Sequence, residues 1–383
     1  MSADLIFVSA EPSGDELAAD VINHIRKSAG PLTIAAIGGD GLQKAGLISP
    51  FDISALSIVG FADALKIYGK AIKLADDITD YIIEQNPRAV VLVDSWGFTI
   101  RLAERLRRRA PHIKRIKLLG PQVWATRAGR AKTLAQNVDH LLCMHDFEVP
   151  FYEPFGLPCT VIGIPALSRM ERGNGAAFRE SHKISTSSKL MLILPGSRSS
   201  EIRRVAPVLA EAACLTKDQL GEKLEVCVLV SPGIAKPLED AALHWPEGTR
   251  FIRDPSEKAD LMAASDLALA CSGTVTTELA TQGCPMVVGY KLGWITYFLA
   301  KFFLFKASYF TLVNVAADAE IVPELLQTEF SAERTSDLAI KLLDNEANRR
   351  TQIEQVREAV RKMGWGKTPA HVVAAEKITE LTA

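Results

Sequence analysis

Six cysteines in 383 residues (Cys143, Cys159, Cys214, Cys227, Cys271 and Cys284) form no CxxC pair and stand at no spacing from a histidine that suits zinc. Neither a disulfide framework nor a zinc module is indicated, and the thiols read as buried groups of a reducing cytoplasm. The seven histidines include no HExxH, so no metal is expected, and nothing calls for another cofactor. Net charge is almost absent: 44 basic against 45 acidic side chains leave -1, too weak a field to grip a polyanion, which argues against nucleic acid as a partner. Also missing are a GxGxxG after the first strand, a loop ending in GK[ST] and a GxSxG elbow. A dinucleotide-dependent dehydrogenase, an ordinary triphosphate hydrolase and a serine hydrolase lose their usual signatures with them. The opening MSADLIFVSAEPSGDE has no basic residue ahead of an apolar run too short for a signal peptide, so a cytoplasmic protein is expected.

What is present is a chain 48% hydrophobic and 23% charged, too long for one ordinary core. Short apolar runs rich in β-branched residues alternate with helical patterns throughout, the pattern of parallel sheets covered by helices. Strands are expected at Asp4–Ser9, Thr33–Gly38, Ala89–Asp94, Lys114–Leu119, His140–Met144 and Cys159–Gly163, then at Lys189–Pro195, Leu224–Val230, Thr249–Arg253, Leu267–Ala270 and Pro285–Tyr290. The first helix is expected over Glu16–Ser28. The reading is α/β with two Rossmann-like doubly wound domains facing across a cleft: an acceptor domain at 1–165, a polar linker at 166–188 and a donor domain at 189–344. Two closing helices over 345–383 either follow the second domain or cross back to the first. Such sheets bind ligands beyond the carboxyl ends of their strands, so the loops after strands carry the chemistry.

Four loops stand out. After the first strand, Glu11, Ser13, Gly14 and Asp15 suit recognition of sugar hydroxyls, or else form a turn with Ser13 or Asp15 capping the helix. Asp94 ends the apolar run AVVLV, where a carboxylate is positioned as a general base or as a structural cap. Gly196, Ser197 and Arg198 combine a loop, a helix start and a guanidinium, a combination suited to phosphate. Ser272, Gly273 and Thr274 make a second such terminus, with Glu278 one turn later at a distance suited to ribose hydroxyls.

The surface has two further features. The run Arg101–Lys117 holds eight cations and reads as a solvated face. Residues 292–313 hold eight of the 26 aromatics, among them Trp294, Phe298, Phe302 and Phe305, with Lys301 and Lys306 near the middle, where each would cost about 2.5–3.5 kcal/mol in a spanning helix. Spanning is therefore not expected, whereas contact with a bilayer interface is. A second amphipathic stretch with Phe61 and Leu65 on its apolar face, flanked by lysines, adds to that expectation.

In order, the loops resemble those of GT-B glycosyltransferases, and the motifs resemble the lipid-A-disaccharide synthase family over nearly the whole chain. AEPSGD is similar to that family's GExSGD, VDSWGF to IDxPDF, GPQVWATRAGR to SPSVWAWR-x-x-R, LPGSRSSEI to LPGSR-x-x-E and CSGTVTTE to SGT-x-x-x-E. CPMVVGYK is retained, and LVNVAADAEIVPELLQ is similar to P-N-x-x-A-G-x-x-x-V-P-E-L-L-Q. The resemblance implies inverting transfer of 2,3-diacylglucosamine from UDP to 2,3-diacylglucosamine 1-phosphate, forming the β(1→6) lipid A disaccharide. It implies Asp94 as base, Arg198 and Ser272 to Thr274 on the diphosphate, Glu278 on ribose, Asn314 and Gln327 as polar contacts near the donor, and Trp124 and Arg127 on the acceptor side. The implied partners are the UDP-diacylglucosamine donor, the acylated glucosamine 1-phosphate acceptor, the cytoplasmic face of the inner membrane as a peripheral site and a second copy of the chain as a homodimer. Gly97, Thr99, Thr126 and Ile164 depart from the pattern, as Gly97 replaces an Asp, Thr99 an Asn, Thr126 a Trp and Ile164 a Gly-His position. A paralogue with a changed acceptor, a UDP-sugar epimerase or hydrolase, and a non-catalytic nucleotide- or lipid-binding module are the competing readings.

Overall fold

The computed structural model describes residues 2–53, 64–124, 127–291 and 309–383. Phe61, Trp294, Phe298, Phe302, Phe305 and Thr126 lie outside the described residues, as does the side chain of Leu65. The chain forms two compact units, residues 1–168 with 366–383, and residues 169–365.

The first unit contains β1 (Leu5–Ser9), α1 (Pro12–Ser28), β2 (Ile34–Ile37), α2 (Asp40–Lys44), α3 (Ala64–Gln85), β3 (Ala89–Val93), α4 (Trp96–Arg109), β4 (Lys114–Leu118), α5 (Arg130–Asn137), β5 (His140–Cys143) and β6 (Cys159–Val161). Its strands run parallel in the order β2-β1-β3-β4-β5-β6. Every residue of β1 and β3 is buried, as a strand covered on both faces requires. One layer of core joins Ile6, Val8, Val90 and Leu92 to Ile78, Ile82, Leu102 and Leu106 of α3 and α4. The other joins Leu5, Phe7, Val91 and Val93 to α1.

The second unit begins with α6 (Gly175–Ser181), inside the stretch expected as a linker. It continues through β7 (Lys189–Leu194), α7 (Ser199–Arg204), α8 (Ala206–Leu220), β8 (Leu224–Leu229), α9 (Ala235–Asp240), β9 (Arg250–Ile252), α10 (Lys258–Ala264), β10 (Leu267–Cys271), α11 (Thr274–Gln282), β11 (Met286–Tyr290), α12 (Leu312–Ala317), β12 (Glu324–Leu326), α13 (Ala332–Asp344) and α14 (Glu346–Lys362). Its parallel sheet runs β12-β11-β10-β7-β8-β9. The short β12 carries too little apolar sequence to be read as a strand in advance. Helix α14 packs on α11 and α12, while α15 (Ala370–Thr382) returns to α1, burying Ala374, Ala375 and Ile378 in the first core.

Two expectations are corrected. Helix α1 starts at Pro12, not Glu16, because proline's fixed φ suits the first helical position, and the cap position falls on Glu11 rather than on Ser13 or Asp15. The basic run is a solvated face only along α4. On β4, Arg115 and Lys117 are buried, since their strand is covered on both sides. Arg115 is matched by Asp139 at 2.8 Å and by the carbonyl groups of Ile113 and Asn137.

Candidate active site

In the first sheet the strand order reverses between β1 and β3, which pair with Ser9 opposite Val93. This is the switch point at which open α/β sheets leave a crevice, and it brings the Glu11 and Asp94 loops side by side. The approach is close: a Cβ on Gly14 would lie 2.7 Å from the Ser9 hydroxyl and 3.8 Å from the Asp94 Cβ, so a side chain there would have to displace the Ser9 hydroxyl. Glu11 and Ser13 are exposed at the start of α1. Asp15 is instead buried, and its Oδ2 accepts the Gly39 N–H at 2.7 Å, tying α1 to the loop after β2. Burial raises its pKa against the opposing hydrogen bonds from Ser9 and Gly39. Glu11 and Ser13 therefore face solvent at this edge, whereas Asp15 serves the fold.

Asp94 and Ser95 both adopt left-handed backbone, with φ of 43° and 39°. For residues with a Cβ this costs about 1–2 kcal/mol each, so something must hold the turn. The Asp94 N–H continues the ladder by donating to the Leu118 carbonyl at 2.8 Å. Its carbonyl accepts from the Thr99 hydroxyl at 2.8 Å and from the Lys117 ammonium. Lys117 Nζ also donates to Thr99 Oγ1 at 2.8 Å. Burial lowers the Lys117 pKa to about 7, opposed by the nearby negative charges of Asp94 and Glu11.

Further along the same edge, Trp124 meets Phe147 edge-on at 5.4 Å, and Phe147 stacks on His145 at 4.5 Å. His145 is held neutral, its pKa lowered to about 4 by burial, and the backbone of its loop is anchored by Glu148, whose Oε1 accepts the His145 N–H at 3.0 Å. Burial raises Glu148 to about 7. Arg127 is exposed and left-handed at φ 50°, and Arg130 lies 5.3 Å over the Trp96 ring.

In the second sheet the order reverses between β7 and β10, and a cavity of about 260 Å³ opens there. Gly196, Ser197, Arg198, Ser272, Gly273, Thr274 and Glu278 all line it. Its chemistry differs from the expected pair of amide cradles. Glu201 of α7 folds back so that Oε2 accepts the N–H groups of Ser197 and Arg198 at 2.8 and 3.2 Å, and Oε1 accepts from the Arg198 guanidinium at 3.3 Å. Those amides are occupied by the protein's own carboxylate. Gly196, at φ 116°, permits this, since a Cβ would come 2.6 Å from that of Glu201. What the loop offers a ligand is the guanidinium itself, on a side chain 77% exposed. The remaining amide terminus is that of α11, whose first turn opens into the cavity with nothing within 4 Å of the position a Gly273 Cβ would take. Glu278, a lining residue, is ion-paired with Lys258 of α10, another lining residue.

Asn314 and Gln327 do not line this cavity. The Asn314 amide is consumed by the fold: Nδ2 donates to the Val322 carbonyl and Glu324 Oε1, and Oδ1 accepts the N–H groups of Ile321 and Val322, all at 2.8–3.0 Å. All four of its hydrogen-bonding positions are thereby filled. Gln327 is buried with φ 52° at the end of β12.

The model of the lipid-A-disaccharide synthetase family matches residues 5–378. The chain belongs to that family. A lipid-A-disaccharide synthase of Rhodospirillum centenum is 35% identical over 377 residues, covering 98% of this chain and 94% of that protein. Among solved structures, MurG of Acinetobacter baumannii superposes with a TM-score of 0.59 at 14% identity, covering 98% of this chain and 99% of that one. UDP-GlcNAc 2-epimerase from Neisseria meningitidis gives 0.56 at 13%, covering 98% of both. At such identities these two show the fold, two Rossmann-like units of GT-B type. In this member of the lipid-A-disaccharide synthetase family, the glutamate of LPGSR-x-x-E is a loop anchor, which the motif already contained without revealing its target. Lys117 and Lys258 belong to no quoted motif, and only the pairing of β4 beside β3 and the packing of α10 beside α11 bring them to the two edges.

Proposed function

We propose that the family reaction, inverting transfer of 2,3-diacylglucosamine from UDP to the 6-hydroxyl of 2,3-diacylglucosamine 1-phosphate, is carried by the residues gathered at the two switch points. Asp94 takes the proton of the attacking hydroxyl as that oxygen bonds to the anomeric carbon from the face opposite UDP. The bond from the anomeric carbon to the diphosphate oxygen breaks, and UDP leaves with the electron pair. Arg198 and the start of α11 meet the charge that develops on the leaving diphosphate, and Glu278 binds ribose after exchanging Lys258 for it. Trp124 and Arg127 stand on the acceptor side with Glu11 and Ser13.

The observation that carries this reading is the cavity between β7 and β10, because it collects an unburied guanidinium, a free helix terminus and a carboxylate one turn along that helix. Acylated substrates fit the apolar, lysine-flanked stretches near residue 61 and over 292–313, so we place the working protein peripherally on the cytoplasmic face of the inner membrane. No helix among the described residues is long and apolar enough to cross a membrane. Sedimentation at working concentration tests the homodimer.

The decisive assay incubates the protein with UDP-2,3-diacylglucosamine in EDTA, with and without the acylated glucosamine 1-phosphate. UDP and a disaccharide 1-phosphate are expected only when both sugars are present. Product from the UDP-sugar alone would turn the reading toward an epimerase or hydrolase, and nucleotide binding without turnover toward a binding module.

A further inference from the structure

Lys117 is a cation with no solvent. It is 2% exposed on β4, opposite Leu92 of β3 on one side and Leu141 of β5 on the other. Enclosing an ammonium is costly even when it is hydrogen-bonded, and the residues on either side of it in the strand, Ile116 and Leu118, are apolar. The sheet itself therefore gives no reason for a charge here. Its contacts do: they are the Asp94 carbonyl and the Thr99 hydroxyl, and the same hydroxyl also donates to the Asp94 carbonyl at 2.8 Å. The Lys117–Thr99 pair thus converges on the single peptide that joins two consecutive left-handed residues, Asp94 and Ser95. Thr99 is also where the family resemblance places an asparagine.

We propose that Lys117 is a positioning residue: by donating to the Asp94 carbonyl and to Thr99 it holds the strained turn that presents the Asp94 carboxylate, without itself touching substrate. This rests on the reading of Asp94 as the general base. A turn that two residues resist is kept in one conformation by a buried donor with nowhere else to point, and the carboxylate on that turn is thereby preorganised for proton removal. The charged groups facing Lys117 are Asp94 at the end of β3 and Glu11 ahead of α1, while α4 contributes the uncharged Thr99 hydroxyl. With its pKa near 7, the ammonium becomes an amine, a weaker donor, within the working range.

The test compares Lys117→Met, Lys117→Gln, Thr99→Val and Asp94→Asn in the UDP-release assay from pH 6 to 9, with UDP affinity measured by calorimetry. Lys117→Met is expected to lower kcat at least tenfold while UDP affinity stays within twofold, because the nucleotide residues belong to the other unit. Thr99→Val is expected to show a smaller loss of the same kind. Lys117→Gln, a neutral donor, is expected to restore part of kcat and to abolish a fall in wild-type kcat as pH rises through about 7. A Lys117→Met protein that keeps kcat within twofold while Asp94→Asn is inactive overturns the positioning role and leaves the base assignment standing. Full activity in Asp94→Asn overturns the base assignment and the proposal with it. Should Lys117→Met fail to fold, Lys117→Gln decides: loss of the limb near pH 7 supports the proposal, and an unchanged profile rejects it.

Discussion

At the carboxyl edge of the first sheet the controlling cation, Lys117, is 2% exposed, whereas at the second the Arg198 side chain is 77% exposed. The backbone differs in the same sense. The first edge holds two left-handed residues with side chains in succession, while the left-handed position in the loop after β7 at the second edge is a glycine, Gly196. If Asp94 is the base, as we propose, it must be held in one place before the substrate arrives, so strain and buried donors are tolerable there. A site for a departing diphosphate instead needs charge that reaches into solvent and a loop that is already relaxed, which Glu201 secures by filling the Ser197 and Arg198 amides.

The sharpest way to break this contrast is Asp94→Asn. Loss of a general base should lower kcat by about 100-fold or more with UDP binding intact by calorimetry, and retention of full rate would remove the first edge from the chemistry. Next in size, Arg198→Ala should weaken UDP binding by roughly tenfold to a hundredfold, the worth of a charge-assisted contact, and should leave thermal stability unchanged because the side chain stands in solvent. If it destabilised the fold instead, Arg198 would belong with Lys117 as an internal group.

A third measurement uses the buried lysine as a thermodynamic marker. Its folded pKa of about 7 lies below the ordinary value of 10.5, so between those limits the unfolded chain binds a proton that the folded chain does not. Stability contributed by this group is therefore complete above the unfolded value and is lost as pH falls toward 7, with a limiting slope of about 1.4 kcal/mol per pH unit. Denaturant titrations at pH 7.5 and 9 should show the wild type gaining about 2 kcal/mol over Lys117→Met across that interval; a change in the opposite direction would mean that folding raises the Lys117 pKa and would overturn the lowered value. The smallest effect is expected from Lys258→Ala. A partly exposed ion pair with Glu278 is worth about 0–1 kcal/mol, so UDP affinity should move less than about fivefold, and a larger loss would make Lys258 a direct contact to the nucleotide.

Much of the scaffold was legible because fully buried strands such as AVVLV and LALAC are continuous apolar runs, and their carboxyl ends are marked by the first polar residue, Asp94 or Ser272. The short strand Glu324–Leu326 was not, since three residues with one charge have no period to read. Among the polar positions the chain order was a poor guide to role. Asp15 and Asn314 sit in family motifs and spend their polar atoms inside the fold, while Lys117, in a run of basic residues, lies beneath the Asp94 turn.

Local sequence determined the alternation of strand and helix, the loops after β1, β3, β7 and β10, and through their combined motifs the family. Those follow from side-chain periodicity and from turn chemistry, which act over a few residues. Only the tertiary structure decided that β3 lies between β1 and β4, so that Asp94 has Glu11 on one side and a lysine from 23 residues downstream beneath it. Strand order is set by how whole layers of helices and strands bury their faces together, and a single ammonium acquires its partner, its burial and its displaced pKa from that arrangement alone.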